Sequence, residues 1–139
     1  MESTTEQSME TISSLATARA IVQRDNDRKE EILKSRGVPI LAAQDLGDTK
    51  KMTDTYKAAV ERNNEAIDFM MDLKNDILKL KLVKDKIDKN SASYLQKVQQ
   101  FDGYIKILND ILNIIKDEVS KMDRVVRFYE RNYSSYNNF

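Results

Sequence analysis

Apolar side chains recur from Met52 onward at alternating steps of four and three residues. This register visits 25 positions between Met52 and Tyr136, and 22 of them are apolar or tyrosine, whereas a 40% hydrophobic content alone predicts about ten. A sustained 3.5-residue repeat is typical of helices that pack along a shared seam, as in coiled coils. The sequence therefore predicts an all-α fold with a long heptad-repeat helical region over residues 49–139.

Asn63 and Lys84 are polar residues at positions of this seam, as is Ser91. A polar side chain within an apolar seam commonly specifies the alignment of the helices or the number of partners, at some cost in stability. We therefore interpret Asn63 and Lys84 as residues that set the register.

The N-terminal pattern is weaker. Residues 1–36 predict a helix with a short apolar stripe, and no apolar residue occurs between Gln23 and Glu31. The middle of this helix is therefore expected to be solvated. Gly37 suits a helix C-cap and Pro39 disfavours helix at the residue before it, so residues 37–48 predict a corner.

Two architectures fit the long repeat. One is a continuous coiled-coil helix of about 85 residues, from about residue 49 to 134. The other is a helical hairpin that turns near residues 88–93, where Ile87 is the one large apolar residue between Val83 and Tyr94 and where Asn90 and Ser91 are suitable cap residues. The second alternative gives an elongated antiparallel helical bundle, in which the N-terminal helix covers part of the hairpin.

Charge pairing favours the hairpin. Folding near residue 90 brings Lys81 near Asp102, whereas a parallel homodimer places Glu118 against Asp123, two like charges. The apolar stripe is also wider than a two-helix seam requires, so a third helix is expected to cover part of it.

Composition limits the chemistry. The chain has no histidine and no cysteine, which removes histidine acid–base catalysis, thiol chemistry and the usual zinc ligands. It also has no glycine-rich phosphate loop. We therefore expect no enzymatic activity, no cofactor and no metal site. The formal net charge is zero, so no nucleic-acid partner is expected.

The C-terminal end combines arginine with aromatic residues, the types that are most enriched in binding hot spots. The candidate interaction residues are Arg124, Arg127, Phe128, Arg131, Tyr133 and Tyr136. A second local bias is a run of lysines between residues 79 and 89, diluted by aspartates. Surface lysines beside a helical seam explain this run, and weak contact with a membrane surface is a second interpretation.

These patterns favour a structural or interaction protein: a small coiled-coil subunit of a tethering, cytoskeletal or chromosome-attachment type of assembly. It would bind protein partners through its helical seam as a homo- or hetero-oligomer. The alternative is a helical chaperone or adaptor that holds a client helix, such as an export chaperone. The polar N-terminus and the lack of a membrane-spanning apolar run favour a soluble, cytoplasmic protein, with the nucleus as a further compartment.

Overall fold

The computed structural model describes residues 2–34 and 49–137, and the side chains of residues 15–34, 50–51 and 53–131. The predicted corner at residues 37–48 therefore lies outside the described residues. Within the described ranges the chain forms three helices and no strand: α1 (Glu2–Lys34), α2 (Thr49–Asp85) and α3 (Tyr94–Asn137). The predicted all-α helical bundle is confirmed. None of these helices is long and apolar enough to cross a lipid bilayer.

Residues 86–93 separate α2 from α3, so the alternative of one continuous helix is wrong. Polar residues make the turn: Asp88 accepts a hydrogen bond from the Asn90 N–H on its side chain (2.9 Å) and one from the Ser91 N–H on its carbonyl (3.1 Å). Short polar side chains favour such local bonds over helix continuation. The Ser93 carbonyl then accepts the Lys97 N–H at 2.9 Å, the first hydrogen bond of α3.

The helices divide into two compact units. The first unit comprises Met1–Lys29 and Met71–Asn113, and so contains segments of all three helices. Here α2 and α3 are antiparallel, because Lys84 near the end of α2 contacts Asp102 near the start of α3. The buried apolar side chains of this unit are Ala18, Ile21, Leu73, Ile77, Leu80, Ile87, Phe101, Ile105, Leu108, Ile111 and Leu112.

The second unit comprises Glu30–Met70 and Ile114–Phe139. The two long helices are antiparallel here as well, since the Tyr56 hydroxyl donates a hydrogen bond to Glu130 Oε1 at 3.1 Å. This bond raises the pKa of Tyr56. The buried apolar side chains of this unit follow the predicted heptad positions: Ala59, Ala66, Ile115, Met122, Val126 and Tyr129, with Phe69 beside them.

Candidate interaction surfaces

The first candidate surface lies near the C-terminal end of α3 and consists of Arg124, Arg127, Phe128 and Arg131, called here the C-terminal patch. Their spacing of three, four and seven residues places them on one face of the helix. All four side chains are exposed, and Phe128 retains 46% of its accessible surface. The structure therefore brings four of the six predicted interaction residues onto one surface.

The opposite face of the same segment anchors the patch. Met122, Val126 and Tyr129 are buried there, and Tyr129 retains only 2% of its accessible surface. The Phe128 ring meets the Tyr129 ring edge-to-face, with centroids 5.6 Å apart and an interplanar angle of 72°. Such aromatic contacts stabilise by about 0.5–1.5 kcal/mol beyond area burial, so Phe128 is held in place while its outer side stays accessible.

A local ion pair and a local hydrogen bond also position two of the three arginines. The Arg127 Nε lies 3.0 Å from Asp123 Oδ2, one turn earlier, and the Arg131 Nε donates to the Arg127 carbonyl at 3.4 Å. Tyr133 and Tyr136 belong to α3, but their side chains lie outside the described residues. Their role in binding stays a prediction.

The two residues predicted to set the register both lie at helix contacts. Asn63 is buried, and its Oδ1 has no hydrogen-bond partner among the described residues. Lys84 is half-buried, and its Nζ donates to Asp102 Oδ1 at 2.6 Å, which raises the pKa of Lys84. The predicted partner of Asp102 was Lys81, and this detail is wrong. Heptad spacing does not specify how many residues the turn consumes, and the lysine that pairs with Asp102 lies three residues further along α2 than predicted.

The expectation that the middle of α1 is solvated fails at Asp25, whereas Gln23, Arg24, Asp27 and Glu30 are exposed. Asp25 is almost fully buried, with 1% of its surface accessible, and its Oδ2 has no hydrogen-bond partner among the described residues. Burial, together with the neighbouring Asp76 carboxylate, raises the pKa of Asp25 to about 7, although the Arg24 guanidinium 3.4 Å away acts in the opposite direction. We call Arg24, Asp25 and Asp76 the Asp25 cluster.

Two ion pairs join α1 to α2 beside this cluster. Arg24 Nη2 lies 2.7 Å from Asp76 Oδ2, and Arg28 Nη1 lies 2.6 Å from Asp72 Oδ2. An open cleft of about 400 Å³ lies here, lined by Asn75 together with these four charged residues. Matched spacing in the sequence could have indicated these ion pairs. Two arginines lie four residues apart on α1 and two aspartates lie four residues apart on α2, so both pairs form when the helices run antiparallel.

The acidic residues of the described segments do not form a metal site, since no three of them converge closely enough to hold an ion. Comparisons of the chain with protein-family models, with curated proteins and with solved structures give no match. The class of protein therefore has to be argued from the fold and from its surfaces.

Proposed function

We propose that this chain is a non-enzymatic structural and interaction protein, a small helical subunit that assembles with other protein chains. The observation that carries the proposal is the C-terminal patch. An exposed phenylalanine lies there on one helix face with three exposed arginines, and a buried tyrosine fixes the helix from behind. Aromatic and arginine residues are the types most enriched in interface hot spots. Side chains that are already ordered also lose little conformational entropy on binding.

The chemistry of the patch indicates the kind of surface that would bind it. Arg124, Arg127 and Arg131 present planar guanidinium groups that pair with carboxylates, while Phe128 offers apolar area beside them. A partner helix with an apolar position flanked by acidic residues fits this arrangement. Coiled-coil packing against such a helix is the finer part of the proposal.

The alternative of a chaperone for a client helix has less support. The open cleft in the first unit is lined by Arg24, Arg28, Asp72 and Asp76, so its walls are charged. A cleft of this kind does not favour an apolar client helix, because the client would have to desolvate these side chains.

The experiment is quantitative co-purification with a matched control. The double variant Phe128→Ser/Arg131→Glu removes the patch, and Ile107→Ser/Lys106→Glu makes the same changes at exposed positions elsewhere on α3. We expect the patch variant to recover at least about tenfold less of any stoichiometric partner, since hot-spot residues carry about 2 kcal/mol or more each. The control should recover as much as the parent chain, and both variants should melt within a few degrees of it. Equal recovery by both variants would remove the patch from the proposal.

The register-setting role of Asn63 and Lys84 belongs to the same proposal. A buried amide oxygen without a partner costs about 1–3 kcal/mol, so Asn63→Leu should raise the melting temperature by several degrees. If Asn63 also specifies alignment, the variant should form additional association states by analytical ultracentrifugation. If the variant is more stable but keeps the association state of the parent chain, Asn63 does not specify how the helices align.

A further inference from the structure

The C-terminal half of α2 has a second apolar face, pointing away from its core. Leu73, Ile77 and Leu80 are buried, whereas Met71, Leu78 and Leu82 are 58%, 56% and 54% exposed. At 100° per residue, these three exposed side chains form a stripe on the side of the helix opposite the buried one. This arrangement is unusual for a helix of a bundle, whose outer side is normally polar.

Lysines border this stripe on both sides. Helical spacing places Lys74 and Lys81 along one edge and Lys79 along the other. Lys86 is the first residue after the end of α2, and all four lysines are exposed. We call these four lysines, with Met71, Leu78 and Leu82, the outer face of α2. Residues 71–86 include three aspartates. Asp72 and Asp76 pair with arginines of α1, which leaves Asp85 in the last turn as the acidic residue of the outer face.

The charge of this region departs from that of the whole chain. Residues 71–86 contain five lysines and three aspartates, and two of these aspartates pair with arginines of α1, whereas the complete chain has a formal net charge of zero. A concentrated positive charge around exposed leucines selects an occupant that is anionic and has an apolar layer. A second copy of the same face is disfavoured, because its lysines would repel these lysines.

We infer that the outer face of α2 docks on the surface of an anionic phospholipid bilayer. Three side chains that are each little more than half exposed do not supply the ~800 Å² per partner of a standard protein interface. A bilayer needs no such minimum area, because shallow insertion of apolar side chains adds to the attraction of each lysine for anionic headgroups. The lysine stems lie along the apolar boundary while their ammonium groups reach the phosphates. This inference is independent of the proposed role of the C-terminal patch.

Vesicle binding of the intact chain tests the inference. The chain lacks tryptophan, so Leu78→Trp introduces a single fluorophore on the outer face and Ile107→Trp provides a matched exposed control on α3. With vesicles of phosphatidylcholine containing about 30 mol% phosphatidylserine, we expect a blue shift of the emission at position 78 and none at position 107. Vesicles of phosphatidylcholine alone should bind at least about tenfold more weakly.

Two pairs of variants separate specific docking from general attraction. Lys79→Glu/Lys86→Glu and Leu78→Ser/Leu82→Ser should each weaken co-sedimentation with the anionic vesicles by at least about tenfold. The controls Lys106→Glu/Lys116→Glu and Ile107→Ser/Ile114→Ser, at exposed positions of α3, should stay within about twofold of the parent chain. All variants are checked by circular-dichroism melting before comparison.

Three results would overturn the inference. One is the absence of binding to anionic vesicles, and another is equal weakening by the outer-face and control pairs. The third is vesicle binding that depends on the lysines but not on the leucines, which would mean electrostatic adsorption without docking. A synthetic acidic amphipathic helix provides the last probe: if it binds this face at micromolar concentration and the vesicles do not, the occupant is a protein helix.

Discussion

Asp25 shows how a single buried carboxyl group links the stability of α1 to pH. Its folded pKa is raised to about 7 by burial and by Asp76, whereas an unfolded aspartate titrates near about 3.9. Between these values the folded chain keeps a proton that the unfolded chain releases. The free energy of unfolding therefore decreases as pH rises from about 4 to about 7, and it then becomes independent of this group.

The variant Asp25→Asn tests this linkage, because it preserves the side-chain shape and cannot ionise. At pH 8 we expect it to be more stable than the parent chain by on the order of 1–3 kcal/mol, since one pKa unit corresponds to about 1.4 kcal/mol. Its stability should also lose the decline between pH 4 and 7. Thermal melting across this range is the measurement, with Asp27→Asn at an exposed α1 position as the control. The same pH slope in the parent and in Asp25→Asn would contradict the assignment.

The buried face of α3 is the main structural determinant at the scale of the helices. Leu108 is completely buried, whereas its neighbour Ile107 is 43% exposed. An aspartate at position 108 would place an unpaired charge in the core, so Leu108→Asp should destabilise the fold by about 3–5 kcal/mol. Ile107→Asp should cost less than about 1 kcal/mol, since exposed substitutions rarely matter more. Circular-dichroism melting that shows equal effects of the two substitutions would disprove the assigned face.

The turn between α2 and α3 makes a different prediction. A short Gly-Ser linker inserted between Asn90 and Ser91 lengthens a surface connection and disrupts the Asp88 turn bonds, a cost of about 1–2 kcal/mol. The same linker inserted between Leu108 and Asn109 interrupts a helix and shifts every later core residue off its face. We expect cooperative unfolding to persist in the first variant and to disappear in the second. Loss of cooperativity in both would show that α2 and α3 require the native turn.

Periodicity predicted the elements because it reports which side of a helix is apolar. The heptad positions on α2 and α3 identified the buried residues Leu73, Leu80, Phe101 and Leu108 directly, and the polar gap identified the turn. Periodicity does not report how helices align with one another. The pairing of Lys84 with Asp102, and the burial of Asp25 beside Asp76, both depend on that alignment and were not predicted.

The surfaces were predicted less completely than the core. Residue types alone indicated the C-terminal patch, and the helical face shared by Arg124, Arg127, Phe128 and Arg131 follows from spacing. The outer face of α2 was recognised only in part: the lysines between residues 79 and 89 suggested weak membrane contact as a second interpretation. The exposed leucines at positions 78 and 82 were not recognised, because they alternate with core residues and lysines in a short stretch. The heptad register placed Leu73 and Leu80 in the core, and the structure adds that Leu78 and Leu82 are more than half exposed.

At the scale of the whole molecule, the chain combines a polar, charge-balanced composition with large apolar side chains that remain exposed. Among the described residues these are Met71, Leu78, Leu82, Leu95, Ile107, Ile114 and Phe128. Single exposed apolar residues are ordinary on protein surfaces, but clusters bordered by charge mark contact sites. We assign Phe128 with its three neighbouring arginines to a protein partner and the stripe of Met71, Leu78 and Leu82 to a lipid surface, so the two assignments can fail separately.

The mass of the native assembly is the most direct test of the proposal that this chain is a subunit that binds other protein chains. The chain itself has a mass of 16.1 kDa. Size-exclusion chromatography with light scattering measures the mass of the assembly, using protein isolated from the cells that express it. We expect a discrete species heavier by at least one further chain, which Phe128→Ser/Arg131→Glu shifts toward 16.1 kDa without loss of helix content. A natively isolated parent chain that elutes as a 16.1 kDa monomer would contradict the assignment as an interaction subunit.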